Sequence, residues 1–439
     1  MKVVDVLKKK VLLWGYGLEG KSALELLLRG GNPNDLIVAA SPMPNEKIDG
    51  VKFISEEQIL EQDFEVLLKS PGVSSYREEM AIIRGRGVLV TSILNILLAE
   101  VGAKKNLKTI GITGTKGKST ATSMCYSMLK YLGFRVLMLG NMGISFLDAL
   151  ECLDTCDYIV LELSSCQLEN ICYRMDYGVL LNLFPEHIDW HRSHENYFRD
   201  KLKILEYSEK CFVNRQDPIT LSYIDVNEHK YFFNDPHVFH LENNFLCYAK
   251  DRLIDINSLG NVRGAHLFKN LCAILAVLRE EKLDTASALE GLVEFKTLPH
   301  RLEIFHENNK LRTKFVDDSI STIPEATLEA LKTFGGDNIF LIVGGFDRQQ
   351  DCSKIVDFIN KTGNIRKIFL IGQTGKKMMN ILAGAEYSSS LEELLESLGT
   401  QDLEDATVLF SPGAASFDMF KNFEERGNKF KELVLKNFP

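Results

Sequence analysis

The sequence predicts an α/β fold of three domains. The first is a Rossmann-like N-terminal domain, the second a central P-loop ATPase-type domain on a parallel sheet, and the third a Rossmann-like C-terminal domain. Three observations predict it. Short apolar runs alternate with helix-like stretches along most of the chain, the pattern of a parallel sheet with helical crossovers. Two glycine-rich turns each follow an apolar run and precede a helix pattern, Gly15 to Gly20 and Gly111 to Thr120. The length, 439 residues, exceeds what one core holds.

The elements follow in order. Strands are expected at Lys10 to Trp14, Leu36 to Ala40, Val66 to Lys69 and Val88 to Thr91, with a helix at Gly20 to Arg29. The polar stretch Gly102 to Lys108 reads as a linker. Strands at Thr109 to Thr113, Arg135 to Leu139, Tyr158 to Leu163, Gly178 to Leu183 and Cys211 to Asn214 are near-continuously apolar, which fits a sheet covered on both faces. Lys230 to Ile256, richer in aromatic and turn residues, reads as an antiparallel patch. Helices follow at His266 to Glu280 and Ala286 to Val293. A third unit has strands at Lys314 to Asp317, Ile339 to Val343, Lys367 to Ile371 and Thr407 to Phe410, and a last helix from Phe423 to Lys436. The expected domains are 1–101, 102–297 and 298–439, with a hinge near Leu298.

A net charge of −9 argues against a general affinity for nucleic acid or an anionic membrane. Anionic substrates then need local basic spots such as Lys116 and Lys118. The nine cysteines are scattered and do not pair at zinc-site spacing, so reduced thiols in a cytoplasmic protein are expected. The opening MKVVDVLKKKVLLWG is not a secretory leader, and the apolar runs fall short of the roughly 18 residues that span a bilayer.

The run Gly111-Ile-Thr-Gly-Thr-Lys-Gly-Lys-Ser-Thr120 combines strand, glycine turn and helix start. Such a turn aims backbone N–H groups at an anion, and the helix N-terminus adds partial positive charge. Gly114, Thr115, Lys116, Gly117 and Thr120 would line the cradle. Lys118 would reach the outer phosphates, and Ser119 would hold magnesium through its hydroxyl. Ile112 stands where the common P-loop has its first glycine, so this is a variant of it. Glu162 ends another buried strand and offers a carboxylate to the same cation. The segment Asn182 to His191, with His187, ends a further strand and fits a second magnesium site. Gly15, Gly17 and Gly20 form G-x-G-x-x-G, but the second strand ends in Ala39-Ala40-Ser41 without the acid that holds a nicotinamide dinucleotide's ribose. A different phosphate, such as a UDP-sugar diphosphate, suits this turn, with Ser70-Pro71-Gly72 on the same sheet edge.

GTKGKST, GNMG, ELSSCQLE, NLFPEHIDWH, Lys201, HRLE and SPGAASFDMFKNFEERG together resemble the Mur ligase family across essentially the whole chain. Two of these runs, ELSSCQLE and the C-terminal one, are similar to the branch that adds glutamate to UDP-N-acetylmuramoyl-L-alanine. The resemblance implies an ATP-dependent, ADP-forming ligase of peptidoglycan precursor synthesis, working through an acyl phosphate, cytoplasmic and monomeric. It implies catalytic roles for Lys118, Lys201 and His187, and magnesium on Ser119, Glu162, His187 and a carbamylated Lys201. It implies ATP contacts at Asn141, Asn270, Arg301 and Asp318. Ser164 would touch the UDP substrate, and Thr322, Arg348, Ser416, Phe417 and Phe423 the glutamate. D-glutamate is the expected amino acid. The alternatives are L-glutamate, a folylpolyglutamate-type ligase and an NAD-dependent oxidoreductase. The family's D-S-K-A-T-N run here reads Asp318-Ser-Ile-Ser-Thr-Ile323. The lysine is replaced by Ile320, which cannot pair with a carboxylate, and Arg348 is left to do so.

Overall fold

The computed structural model describes residues 2–30, 36–44, 47–140, 146–186, 188–226, 231–258, 265–293, 299–322, 324–347, 352–382 and 384–438. They form two compact units, Met1–Gly260 with His266–Phe295, and Asn261–Ala265 with Lys296–Pro439. Among the described residues no helix is long and apolar enough to cross a membrane.

The first unit holds three sheets. Strands β1 (Val11–Trp14), β2 (Leu36–Ala39), β3 (Val51–Ile54), β4 (Val66–Lys69) and β5 (Leu89–Thr91) form a parallel sheet in the order β3-β2-β1-β4-β5. The order reverses at β1, so the turns after β1 and β4 lie side by side, where open α/β sheets bind ligands. Strands β6 (Lys108–Thr113), β7 (Val136–Leu139), β8 (Tyr158–Glu162), β9 (Met175–Leu180), β10 (Ser208–Asn214) and β11 (Tyr231–Phe233) form a second parallel sheet, ordered β11-β10-β9-β6-β8-β7. β12 (Phe239–Glu242), β13 (Phe245–Tyr248) and β14 (Asp251–Asp255) make an antiparallel patch over the later part of the stretch expected to form one, whereas β11 at its start extends the parallel sheet beside β10.

The helix Ile93–Val101 was not foreseen, because it is apolar on every side and shows no amphipathic period. It is buried almost throughout, the mark of a helix with no solvent face. Its Leu94, Ile96 and Leu97 share one core cluster with Leu13 and Leu24 of the first sheet layer and Leu139, Ile159 and Leu161 of the second. Ser92 caps it, accepting from the Asn95 N–H. The supposed linker shortens to a turn between this helix and β6.

The second unit carries β15 (Glu303–Asn308), β16 (Thr313–Asp317), β17 (Asn338–Val343), β18 (Ile365–Ile371), β19 (Glu386–Ser388) and β20 (Ala406–Phe410), ordered β15-β16-β20-β17-β18-β19. All neighbours are parallel except β15 with β16. Two apolar clusters cover its two faces, one around Phe369, Phe410 and Phe430 and the other around Leu341, Leu370 and Leu409. The expected hinge at Leu298 lies outside the described residues.

Candidate active site

The turn after β6 is built to be occupied by an anion. Gly114 and Gly117 take positive φ (+159° and +86°), and Gly117 caps the helix Lys118–Tyr131 in the left-handed region, where glycine has no steric penalty. A Cβ on Gly117 would stand 2.3 Å from Asn270 Nδ2, which places Asn270 against the turn. The segment after β9 stitches the turn in place. Asn182 Oδ1 accepts from the Lys116 N–H at 2.9 Å, its Nδ2 donates to the Lys116 carbonyl at 3.0 Å, and its own carbonyl accepts from the Thr115 N–H at 3.0 Å. Thr115 Oγ1 lies 2.9 Å from the Tyr197 hydroxyl and accepts from the Phe184 N–H. The Lys116 ammonium pairs with Glu186. Thr120 is buried behind the turn.

Lys118, Ser119, Glu162 and Lys201 converge on this turn from three elements. β8 lies beside β6 with Glu162 opposite Ile112, so a carboxylate emerges one strand away from the helix start. Ser119 Oγ donates to Glu162 Oε1 at 2.9 Å. Lys118 Nζ folds back onto the Gly114 and Thr115 carbonyls, both at 3.1 Å. Lys201, on the helix His194–Glu206, is almost wholly buried and donates to the same Gly114 carbonyl at 2.8 Å. Burial, and then the Lys118 charge, hold its ammonium well below the ordinary lysine range, so a neutral amine is favoured there. Gly140, just beyond β7, has φ +133°, and a Cβ there would meet Glu162 at 2.7 Å. His187 and Asn141 lie outside the described residues. The oxygens of Ser119 and Glu162 form a hard donor set that suits magnesium.

The two predicted turns of the first sheet meet. Ser70 Oγ donates to the Gly15 carbonyl at 2.9 Å. A Cβ on Gly20 would lie 2.1 Å from that carbonyl, whereas Gly17 and Gly72 face open space. The carbonyls of Pro71 and Gly72 accept from Trp190 Nε1 at 3.1 and 3.3 Å. Ser164 caps the short helix Ser165–Leu168. Its N–H donates to Gln167 Oε1 at 2.8 Å, and Gln167 Nε2 donates to Glu19 Oε1 at 2.6 Å. Glu19 belongs to the first turn of the helix Leu18–Arg29, so Ser164 is joined to the Gly15–Gly20 turn through one side-chain pair. Burial pushes the Glu19 carboxyl up to about 7, against the pull of Gln167 and Lys69.

Sequence reasoning missed a buried network beside these turns. His191 Nδ1 lies 2.8 Å from Asp200 Oδ2, and its Nε2 lies 2.9 Å from Ser165 Oγ. The Tyr76 hydroxyl donates to the same Asp200 oxygen at 2.9 Å. One carboxylate thus ties the segment after β4 to the helix carrying Lys201, and through His191 to the segment after Glu162. Nearby, buried Lys69 donates to the Val73 carbonyl at 2.8 Å, lies 3.5 Å from Glu169 and sits over the Trp190 ring. The available signal was Asp200 beside Lys201 on a helix, and a lysine closing the apolar run Val66–Lys69.

In the second unit, Asp318 is fully buried. It accepts from Ser321 Oγ and Ser411 Oγ at 2.6 Å each and from the Leu302 N–H at 3.2 Å. Burial raises its carboxyl to about 6, with the two serines and Arg301 pulling the other way. The buried Arg426 donates to Ser319 Oγ and to the carbonyls of Ser319, Ala414 and Ala415 at 2.8–3.1 Å. It therefore binds the loop after β16 to the loop after β20. Between these loops Thr322 is half-buried, Ser416 is buried and Phe417 is exposed. Phe423 opens the last helix, and its carbonyl accepts from Ser319 Oγ at 2.8 Å. His300, Glu303 and Asp317 cluster around Lys431, a cation that already pairs with both carboxylates. Arg348 lies outside the described residues.

The family model of the Mur ligase middle domain matches residues 112–278. The chain is 31% identical to a UDP-N-acetylmuramoylalanine–D-glutamate ligase of Fusobacterium nucleatum, over 98% of this chain and all of that one. It is 30% identical to a UDP-N-acetylmuramoyl-L-alanine–L-glutamate ligase of Xanthomonas euvesicatoria, over 99% of this chain and 97% of that one. In fold it is similar to a MurF ligase from Thermotoga maritima in complex with ADP (TM-score 0.61, 17% identity, 98% of this chain and 94% of that one). It is similar also to the UDP-N-acetylmuramate-alanine ligase of Thermotoga maritima (TM-score 0.59, 19% identity, 98% and 99%).

Proposed function

The chain belongs to the Mur ligase family, and from that premise we propose that it joins glutamate to UDP-N-acetylmuramoyl-L-alanine at the expense of ATP, releasing ADP and phosphate. The observation that carries the proposal is the convergence of Lys118, the Ser119–Glu162 pair and Lys201 on the turn Gly114–Gly117. ATP phosphorylates the substrate carboxylate, and the glutamate amine attacks the acyl phosphate. In this reading the backbone N–H groups of the turn and Lys118 swing onto the phosphates, where preorganised donors stabilise the charge developing on the transferred group. Ser119 and Glu162 hold magnesium, which supplies further charge stabilisation when bound. The neutral amine of Lys201 is disposed to take up carbon dioxide, giving a carbamate that joins the donor set with His187.

The other roles are assigned within the same proposal. Gly114, Thr115, Lys116, Gly117, Thr120, Asn141 and Asn270 serve ATP, as do Arg301 and Asp318 of the second unit. Gly15, Gly17, Gly20, Ser70, Pro71, Gly72 and Ser164 serve the UDP substrate. Open space at Gly17 and Gly72 supports this, since a diphosphate needs bare backbone. Thr322, Arg348, Ser416, Phe417 and Phe423 serve glutamate. The domains are 1–101, 102–297 and 298–439, and the protein works as a cytoplasmic monomer. D-glutamate is the amino acid of this reading. L-glutamate is the second reading, favoured by Ile320 in place of a lysine and by the similarity to the L-glutamate ligase.

The test is phosphate release with ATP, magnesium and UDP-N-acetylmuramoyl-L-alanine, with D- or L-glutamate in parallel samples. Release with D-glutamate alone supports the first reading and release with L-glutamate alone the second. Release with neither overturns both.

A further inference from the structure

Apart from the nucleotide turn, the antiparallel sheet carries three side chains of metal-ligand type on one face. The hairpin β12–β13 closes through Asn243 and Asn244, both at positive φ (+48° and +64°), as a two-residue turn of this kind requires. That turn fixes the register, so His240 stands opposite Cys247 and Glu242 opposite Phe245. Alternation along the strand puts Glu242 on the same face as His240. The ligand atoms of His240, Glu242 and Cys247 all lie within 4.8 Å of one another.

Two details make this more than proximity. His240 Nδ1 lies 3.0 Å from the Val238 carbonyl. A carbonyl only accepts, so Nδ1 carries the proton and Nε2 keeps its lone pair, the arrangement by which a backbone oxygen orients a metal-binding imidazole. Burial is graded as well. Cys247 and His240 are 2% and 7% exposed, while Glu242 is open to solvent, which leaves an entry path and a position for water. From these residues we propose that His240, Glu242 and Cys247 bind a zinc ion, with water as fourth ligand, clipping β12 to β13.

A thiolate, an imidazole and a carboxylate select zinc over magnesium, unlike the oxygen pair of Ser119 and Glu162. Ligand lengths near 2.0–2.3 Å put tetrahedral donors about 3.5 Å apart, and the three donor atoms already lie within 4.8 Å of one another, so side-chain rotation closes the site. On binding, the Cys247 thiol gives up its proton to solvent along with its 3.6 Å contact to the Phe245 carbonyl. One proton is released per zinc. Burial, and then Glu242, push the Cys247 thiol up, while Arg252, opposite it on β14, pulls the other way. Cys272, on the helix Ala265–Glu280, also lies within electrostatic range of Cys247.

The experiment titrates the full chain, stripped by chelator and kept reduced, with cobalt(II) and then with zinc. Expected are a sulfur-to-cobalt absorption band in the near ultraviolet that saturates at one thiolate-bound cobalt per chain, and its loss on adding zinc. C247S should abolish the band. Glu242→Gln, at an exposed position that leaves the fold intact, should weaken zinc binding at least about tenfold with ligase activity unchanged. A parent protein without the band, a band that survives in C247S, or equal zinc affinity in the Glu242→Gln variant would overturn the proposal.

Discussion

Gly117→Ala tests whether the turn after β6 is the nucleotide cradle. The residue sits at φ +86°, a conformation that costs an L-residue about 1–2 kcal/mol. Its new Cβ would also stand 2.3 Å from Asn270 Nδ2. That amide is on a buried side chain and cannot simply swing away, so either Asn270 or the turn must shift. If the turn shifts, the N–H groups no longer converge, and a cost of about 1–3 kcal/mol on the bound state is a loss of about 5- to 150-fold in nucleotide affinity. Titration calorimetry with a non-hydrolysable ATP analogue measures it directly. Gly72→Ala is the control, because a Cβ there meets nothing within 4 Å. Its thermal stability and ATP affinity should match the parent, while the UDP substrate binds more weakly. ATP binding within twofold of the parent in Gly117→Ala would refute the cradle assignment.

Three further outcomes are expected. Lys201→Ala should lower turnover at least about a hundredfold, and stripping carbon dioxide from the buffer should reversibly lower the activity of the parent, read by phosphate release. Tyr76→Phe removes one hydrogen bond to a carboxylate, about 1.5–3 kcal/mol, part of which reaches the substrate turn. It should raise KM for the UDP substrate up to about tenfold with KM for ATP unchanged; equal changes in both would contradict the coupling drawn through Asp200. Asp318 has its folded-state pKa raised from the ordinary 3.8 to about 6, so its contribution to stability is fully present below pH 3.8 and is lost as pH rises through 6. The two-unit shift is worth about 3 kcal/mol, and the urea midpoint of Asp318→Asn should fall less than the parent's between pH 5 and 7.5.

The chemistry was legible where a local rule binds residues close in sequence. The run from Gly111 to Thr120 announced strand, turn and helix together, and Ser119 lies where its spacing put it. Long apolar strands were equally plain. The edge strands β3, β15 and β19 were missed, and β11, inside the stretch read as an antiparallel patch, pairs parallel at the edge of the second sheet. Half-exposed edges such as Val51–Ile54 and Glu386–Ser388 carry too little apolar pattern to stand out from loops. The helix Ile93–Val101 was hidden for the opposite reason, being apolar all round. In the network of Tyr76, His191, Asp200 and Ser165, the bonded pair Tyr76 and Asp200 lies 124 residues apart, and such partners share no sequence period.

The position of the candidate site follows from strand order rather than from any single motif. β6 runs between β8 and β9, so the turn it feeds is flanked by the ends of both. Glu162 ends β8 and delivers a carboxylate to Ser119. Asn182 lies just beyond β9 and pins Thr115 and Lys116. The helix His194–Glu206 crosses from β9 to β10, packs on β9 and carries Lys201 down to the Gly114 carbonyl. Had β8 stood at the sheet edge, the carboxylate would be a full strand spacing, about 4.8 Å, further from the serine. A variant that keeps every motif but displaces β8 should therefore fold its turn and lose its metal pair. Gly140→Ala approximates this, since a Cβ there would press on Glu162 at 2.7 Å, on both its Cβ and its carbonyl oxygen. Its expected signature is ATP binding that survives without magnesium but gains little from it, and magnesium-dependent tightening equal to the parent's would show that the end of β8 does not set the site.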